Sequence, residues 1–512
     1  MKFHLVPCER TMQQGKVVTE TSPLLQNPSI GQATQAIARK AISFEERLIE
    51  AEIDTGEIED TFSWRKLWKY TGPGLLMSIA YLDPGNLEAD LQSGAVAGYS
   101  LLWLLLTAHI AGQLIQCLSV RLGVVTGKHL AQLIRQYYPR PVSIAFWLIT
   151  EIAIIGADIQ EIVGTAIALK IIFRIPLWVG TLLTAMDTFT FITLQSYGVR
   201  KLEALFAVLI GTMAICFWIE MFMSNPDVGE IIKGTLIPVV PRKAFIEAVA
   251  IIGAFIMPHN LYLHSSLVMT RRTNNASNSK IKEANFYFSL ESGIALFFSY
   301  LINMAIVTVF AEVFYSPSED KPLPGLYDAA DVLTNTLGSA SRYLWALGLL
   351  AAGSSSTITG TLTGQYVIEG FFGKIFKKPW HRLLITRSIA LVPSMFVAVF
   401  SVNDFDNMGE ILNVLQSLCL PTALIPLMKL TSSKSVMGKN FKTNNFWKYI
   451  SWIIASVIIG TNLILFLEQL NKMRNSFLGY MCGGIYFIFI IYIIFLPIKV
   501  TRDPLKIDSI SN

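Results

Sequence analysis

Residues 80–86 read Ala80-Tyr81-Leu82-Asp83-Pro84-Gly85-Asn86, and they interrupt an apolar segment that begins near Gly72 and resumes after Asp90. A carboxylate at bilayer depth is costly. Proline removes a backbone donor and glycine relaxes the helix, so a continuous helix facing lipid is the wrong home for this run. The stretch makes sense where the break faces a protein-lined cavity that binds something polar. A second apolar segment carries the matching defect, Gly253-Ala254-Phe255-Ile256-Met257-Pro258-His259-Asn260. Two hydrophobic segments, each broken near the middle and far apart in the chain, point to a transporter-type substrate site.

The remainder of the chain agrees with a membrane setting. Of its 512 residues 53% are hydrophobic and only 15% charged, too few polar groups to clothe a soluble domain. The net charge of +5 forms no concentrated basic patch with interleaved aromatics, which argues against nucleic acid. Cys8, Cys117, Cys216, Cys419 and Cys482 lie far apart without C-x-x-C spacing, so neither a disulfide framework nor a zinc fold is expected. From Trp68 onward there are about twelve apolar segments of spanning length, taking roughly 20 residues per crossing. They fall near 72–93, 99–122, 142–172, 176–196, 201–223, 245–269, 285–313, 341–370, 383–401, 408–429, 447–468 and 477–499.

Lysine and arginine test this arrangement. Every second loop is cationic: Lys128, Arg135 and Arg140; Arg200 and Lys201; Arg271, Arg272, Lys280 and Lys282; Lys374, Lys377 and Lys378; Lys434, Lys439 and Lys442. Both termini are therefore expected in the cytosol, and the Asn275-Ala276-Ser277 glycosylation match lies on the wrong face to be used. Because the broken segments are the first and the sixth, the expected fold is an all-α polytopic membrane protein built on an inverted five-plus-five helix repeat. The expected parts are a cytosolic N-terminal tail (1–65), a transporter core (66–430, with repeats at about 66–223 and 245–430), two additional transmembrane helices (431–499) and a short cytosolic tail (500–512). The N-terminal tail contains no apolar run long enough for the hydrophobic region of a signal peptide and reads as largely disordered, with an amphipathic helix expected over 36–58. Its Glu20-Thr21-Ser22-Pro23-Leu24-Leu25 resembles an acidic dileucine signal. Read by clathrin adaptors, such a signal sorts proteins to endosomal, lysosomal or vacuolar membranes.

Several polar residues at membrane depth are candidates for chemistry. Asp83 and Asn86 offer oxygen, and the unwound backbone offers freed carbonyls, a set that suits a cation. Met257 changes the class of cation, because a thioether is a poor ligand for Ca²⁺ or Mg²⁺ and an acceptable one for softer transition metals. His259 has two readings, a proton carrier or a neutral ring bonded to freed carbonyls, and His264 is read as interfacial. The third segment carries Glu151, Asp158 and Glu161, the last two one helical turn apart. Repeated carboxylates at this depth mark a proton or ion pathway, or pair with a buried cation such as Arg387 in the ninth segment. Asn413 and Gln416 in the tenth segment are either additional oxygen ligands or interhelical hydrogen-bonding groups. Gly353-Ser-Ser-Ser-Thr357 is most simply a packing face of small residues.

Five stretches together resemble one family: Gly72-Pro-Gly-Leu-Leu-Met-Ser-Ile-Ala-Tyr-Leu-Asp-Pro-Gly-Asn86-Leu-Glu-Ala-Asp-Leu-Gln-Ser-Gly-Ala95, the third-segment acidic run, Met257-Pro-His-Asn-Leu-Tyr-Leu-His-Ser265, Gly360-Thr-Leu-Thr-Gly-Gln-Tyr366 and Leu415-Gln-Ser-Leu-Cys-Leu-Pro421. The sequence looks like a eukaryotic-type member of the natural resistance-associated macrophage protein (NRAMP) family of proton-coupled divalent metal transporters. The resemblance implies metal held by Asp83, Asn86, the Ala254 carbonyl and Met257. It also implies a proton route through Asp83, His259, Asp158, Glu161 and Arg387. The methionine favours Fe²⁺ and Mn²⁺, carried with H⁺ as substrates, and no cofactor is expected. Gly156 stands where many members have alanine, and Cys419 where many have glutamine.

Two other classes compete with this reading. A sodium-coupled amino-acid symporter on the same fold would have to seat a substrate carboxylate that Asp83 repels. A non-transporting metal sensor would need a signalling tail. No nucleophile elbow, phosphate loop or zinc-protease pattern marks an enzyme.

Overall fold

The computed structural model describes residues 62–184, 199–271, 277–316, 323–373, 388–396, 399, 405–472 and 476–499. Glu20, Leu24, Leu25, the 36–58 helix, Asn275, Arg387 and the C-terminal tail lie outside the described residues. The regular elements among the described residues are helices. The first apolar segment comprises α1 (Trp64–Tyr70), α2 (Pro73–Ile79) and α3 (Pro84–Ala97), followed by α4 (Leu102–Thr126), α5 (Leu130–Tyr137), α6 (Arg140–Phe173), α7 (Val199–Ser224) and α8 (Val228–Leu236). The sixth segment comprises α9 (Phe245–Ala254) and α10 (Pro258–Leu267). After it come α11 (Asn278–Val313), α12 (Leu326–Leu337), α13 (Ser339–Phe372), α14 (Phe405–Cys419), α15 (Pro421–Ser432), α16 (Lys434–Phe441), α17 (Asn445–Lys472) and α18 (Ser476–Phe495). Seven stretches among the described residues are long and apolar enough to cross a bilayer. The chain is a helical multi-pass membrane protein whose first and sixth segments are broken.

Those seven stretches overlie expected segments, the expected 176–196 and 383–401 segments lie partly outside the described residues, and the helix ends differ from those expected. The seventh segment, expected from 285, begins at Asn278 because Ser277 caps it, its hydroxyl accepting from the Lys280 amide. Helices α5, α8, α12 and α16, outside the broken segments, fall below spanning length. Helix α8 starts where the Asp227 carboxylate accepts from the Gly229 and Glu230 amides. Helix α1 starts at Trp64.

The breaks sit inside a packed scaffold. Helix α6 lies along α13, where Gly353 abuts Thr165; a Cβ there would come within 2.1 Å of the Thr165 hydroxyl. Helix α11 packs against α2, α3 and α4. At the start of α2 the Glu291 carboxylate accepts three backbone amides, from Gly72 at 2.9 Å, Gly74 at 2.7 Å and Leu75 at 3.0 Å. A carboxylate against a helix N-terminus satisfies orphan donors and opposes the positive end of the helix dipole. The same end is gripped through its carbonyls. Arg271 donates to Lys69 and Thr71, Arg200 to Trp68, Lys69 and Thr71, and Glu203 joins both arginines. Gly72, at φ +142°, is crowded by Glu203 and Arg271, so a side chain is doubly disfavoured there.

The tenth segment also breaks, for the same reason as the first. Pro421 stands four residues after Ser417 and offers it no N–H. The Ser417 carbonyl is taken by Asn462 of α17 at 2.8 Å, and the Leu418 carbonyl by the Tyr486 hydroxyl of α18. Lys429 of α15 in turn caps the end of α18, donating to the carbonyls of Ile493, Ile494 and Leu496. The last two helices therefore supply donors to the break in the tenth segment.

Candidate functional site

In the first break the backbone tightens before it opens. The amides of Ala80, Tyr81 and Leu82 bond back to Met77, Ser78 and Ile79, and then Pro84 leaves Ala80 without its i+4 donor. Asp83 is the N-cap of α3, its carboxylate accepting from the Asn86 amide at 2.8 Å. The two exposed carbonyls are met by side-chain amides. Asn86 Nδ2 lies 3.4 Å from the Ala80 oxygen, and Asn303 Nδ2 of α11 donates to the Tyr81 oxygen at 2.8 Å. Asn86 is fully buried, and its Oδ1 has no hydrogen-bond partner among the described residues.

The second break repeats the pattern in the same register. Ala254, Met257, Pro258 and Asn260 stand where Ala80, Asp83, Pro84 and Asn86 stand in the first. Pro258 withholds an N–H from the Ala254 carbonyl, and Met257 occupies the N-cap of α10 with φ −90° and ψ 142°. A thioether offers the following amides no useful cap, so the methionine at this position is unexplained by helix chemistry alone. Asn260 differs from its counterpart: both its Nδ2 and its Oδ1 lack partners among the described residues. The breaks touch through equivalent residues, with the rings of Tyr81 and Phe255 6.3 Å apart. Asp83, Asn86, Ala254 and Met257 are all buried.

The tenth segment reaches the first break through a side-chain network. Gln160 of α6 donates to the Gly409 carbonyl at 2.9 Å and to Asn413 Oδ1 at 2.8 Å, and Gln416 Nε2 donates to Gln160 Oε1. Gly85 lies against this network; a Cβ would fall 2.8 Å from Asn413 Oδ1. Asn413 thus has its oxygen engaged, whereas Gln416 Oε1 is without a partner among the described residues. The interhelical reading fits Asn413 in this conformation.

Asp158 and Glu161 are buried on α6, and both approach Gly360 of α13, where a Cβ would lie 2.9 Å from Asp158 and 3.1 Å from Glu161. Glu151 is half-buried two turns earlier. Gly156 has room: a Cβ would make ordinary contact with Leu415, so the departure from alanine is sterically neutral. His259 is buried, its Nδ1 without a partner among the described residues. His264 lies within the helix packing. It is fully buried, because α10 runs between α4 and α13, and its Nδ1 lies 2.8 Å from Gln116 Oε1.

Three polar residues around the breaks escaped the sequence reading. Gln160 sat unremarked between two carboxylates, and Asn303 is a lone amide in an apolar run. Asp90 is fully buried two turns beyond Asp83, and neither of its oxygens has a hydrogen-bond partner among the described residues. The i+7 spacing from Asp83 was the available signal for Asp90.

Known proteins resemble this chain over most of its length. The family described as "Natural resistance-associated macrophage protein-like" matches residues 74–468. A relative from Dictyostelium discoideum, "Metal transporter nramp1 homolog", is 49% identical over 416 residues, covering 80% of this chain and 77% of its own. "Metal transporter Nramp3" of Arabidopsis thaliana is 47% identical over 463 residues, covering 88% of this chain and 90% of its own. The crystal structure of the Eremococcus coleocola manganese transporter, in complex with an aromatic bis-isothiourea substituted compound, superposes with a TM-score of 0.76 at 30% identity, over 86% of this chain and 96% of that one. A nucleobase-cation-symport-1 family transporter shares the fold alone, with a TM-score of 0.51 at 14% identity, over 77% of this chain and 90% of that one. With its two proline-broken segments meeting at Tyr81 and Phe255, this chain belongs to the natural resistance-associated macrophage protein-like family, whose members are transporters and not enzymes.

Proposed function

We propose that this chain carries divalent transition metals, Fe²⁺ or Mn²⁺, into the cytosol together with protons, by alternating access around the two breaks. What supports the reading is the set of donors that the two breaks carry. It comprises one carboxylate (Asp83), one carboxamide oxygen held free because its own Nδ2 is spent on the Ala80 carbonyl (Asn86), one carbonyl orphaned by proline (Ala254) and one thioether (Met257). Three oxygens alone would serve a hard cation, and the sulfur moves the preference toward softer divalent metals. A single negative charge binds such an ion loosely enough to release it. Relatives named as metal transporters, and a structural relative named as a manganese transporter, support the substrate class.

Asp158, Glu161, His259 and Arg387, with Asp83, form the proposed proton route. Buried carboxylates on a membrane helix are costly unless they are paired or titrate, and transport provides a use for both. The core is assigned to 66–430 and the two additional helices to 431–499. The alternating cationic loops support cytosolic termini, the 1–65 and 500–512 tails included. The dileucine at Glu20, Leu24 and Leu25 supports adaptor binding and residence in an endosomal, lysosomal or vacuolar membrane.

Uptake of Mn²⁺ into proteoliposomes, with an acid-outside gradient imposed or abolished and internal pH followed, tests the mechanism. Gradient-stimulated entry with internal acidification is expected. Mn²⁺ entry without proton movement would remove the proton route while keeping the metal site; no entry by folded protein would overturn transport itself.

A further inference from the structure

His109 belongs to α4, which contains neither break, yet its ring touches both. Its centroid lies 5.5 Å from that of Tyr81 and 4.8 Å from that of Phe255, the two residues that hold equivalent positions in the breaks. Tyr300 closes a third side at 5.6 Å, and the histidine is buried. Both of its nitrogens are accounted for. Nδ1 lies 2.9 Å from the Leu105 carbonyl, which can only accept, so Nδ1 carries the hydrogen and Nε2 of the neutral ring is an acceptor. Asn303 Nδ2 faces that Nε2 at 3.3 Å and donates its other hydrogen to the Tyr81 carbonyl at 2.8 Å. The orientation of the Asn303 amide is thereby fixed from two sides. Turned over, its oxygen would face the Tyr81 carbonyl and the imidazole lone pair, two acceptors.

We propose that His109 is a positioning residue for the transport site: through Asn303 it holds the Tyr81 carbonyl. The inference rests on the proposed transport function. His109 is not a metal ligand in this arrangement, because its one lone pair is directed at Asn303. What it contributes is preorganisation. The Tyr81 carbonyl is two residues from Asp83 in irregular backbone, so losing its clamp loosens the ligand set before the ion arrives and weakens binding without changing the steps that follow.

The test compares H109F, which keeps an aromatic ring and loses the acceptor, with H109Q, whose Oε1 reaches about as far as Nε2. For H109F the apparent KM for Mn²⁺ should rise roughly three- to tenfold, the worth of one neutral hydrogen bond, with Vmax per folded transporter unchanged. H109Q should retain the native KM, and H109F placed on N303A should add no further rise. A native KM in H109F, equal impairment in H109Q, or a full H109F effect in the N303A background would each overturn the proposal. Calorimetric binding of Cd²⁺ to purified H109L and H109Q proteins provides the same comparison if H109F does not fold. Native protein that binds Cd²⁺ but moves no Mn²⁺ would overturn the transport function and leave the His109 comparison readable.

Discussion

Asp83 meets two demands with one side chain. One carboxylate oxygen caps α3 through the Asn86 amide, and the charge is what a cation at the break would use. The demands are separable. Asparagine also caps helices, so D83N should leave thermal stability near native while abolishing Mn²⁺ uptake, whereas D83A should lose uptake and also about 1 kcal/mol of cap stabilisation, read as a lower melting temperature. Uptake by a well-folded D83N protein would remove the carboxylate from the site. Met257 makes the complementary prediction. M257A should admit Ca²⁺ more readily relative to Mn²⁺, and an unchanged Ca²⁺/Mn²⁺ competition ratio would count against the thioether as a selectivity element. Asp83 was legible as a candidate because a carboxylate violates what a membrane helix tolerates, and Met257 because it precedes the proline of a broken segment. Asn303 and Gln160 were not, since an isolated amide in an apolar run acquires meaning only from the carbonyl or carboxamide that tertiary packing sets opposite it.

Between residues and the molecule stand the helix ends. Hydropathy reports apolar length and not where hydrogen bonding continues, so α11 overran its expected start and the short helices α5, α8, α12 and α16 gave no signal. The firmest of these ends is the start of α2, where Glu291 accepts three amides while Arg200 and Arg271 hold the carbonyls just before it. Neutralising the acceptor keeps its shape and weakens three charge-assisted bonds at once. E291Q should therefore release the α2 end more often. In a background cleared of reactive cysteines, a cysteine at Leu75 should label faster with a water-soluble thiol reagent in E291Q than in native protein. Equal labelling rates would mean that the arginines alone hold this end. The tenth segment offers a parallel case: N462L strips one of two donors from the buried Ser417 carbonyl, which keeps the Leu420 amide at 3.3 Å, and should lower stability by about 0.5–1.5 kcal/mol, although Asn462 lies on α17, outside both the first and the sixth segment.

At the scale of the molecule the two breaks are equivalent in sequence register and unequal in bonding. Asn86 reaches back to the Ala80 carbonyl, whereas Asn260, its counterpart, reaches nothing among the described residues. The matching Pro-x-Asn endings were readable from the sequence; the inequality was not, because it is a property of one conformation. A buried carboxamide left unbonded costs about 1–3 kcal/mol, a penalty that a second conformation can relieve. In a transporter built of inverted repeats, the state open to the other side is reached when the two halves exchange conformations, so the bond closed in one break should open as its counterpart closes. Asn260 would then donate to the Ala254 carbonyl only in the opposite state. N260A removes that bond without touching one made here, so it should lower the maximal rate of Mn²⁺ uptake several-fold while leaving equilibrium Mn²⁺ affinity within about twofold, a difference too small to count as a lost ligand. N86A, which removes a bond made here, should instead weaken affinity as well as rate. If N260A and N86A proved kinetically alike, the two asparagines would play one static role and the inequality between the breaks would carry no part of the transport cycle.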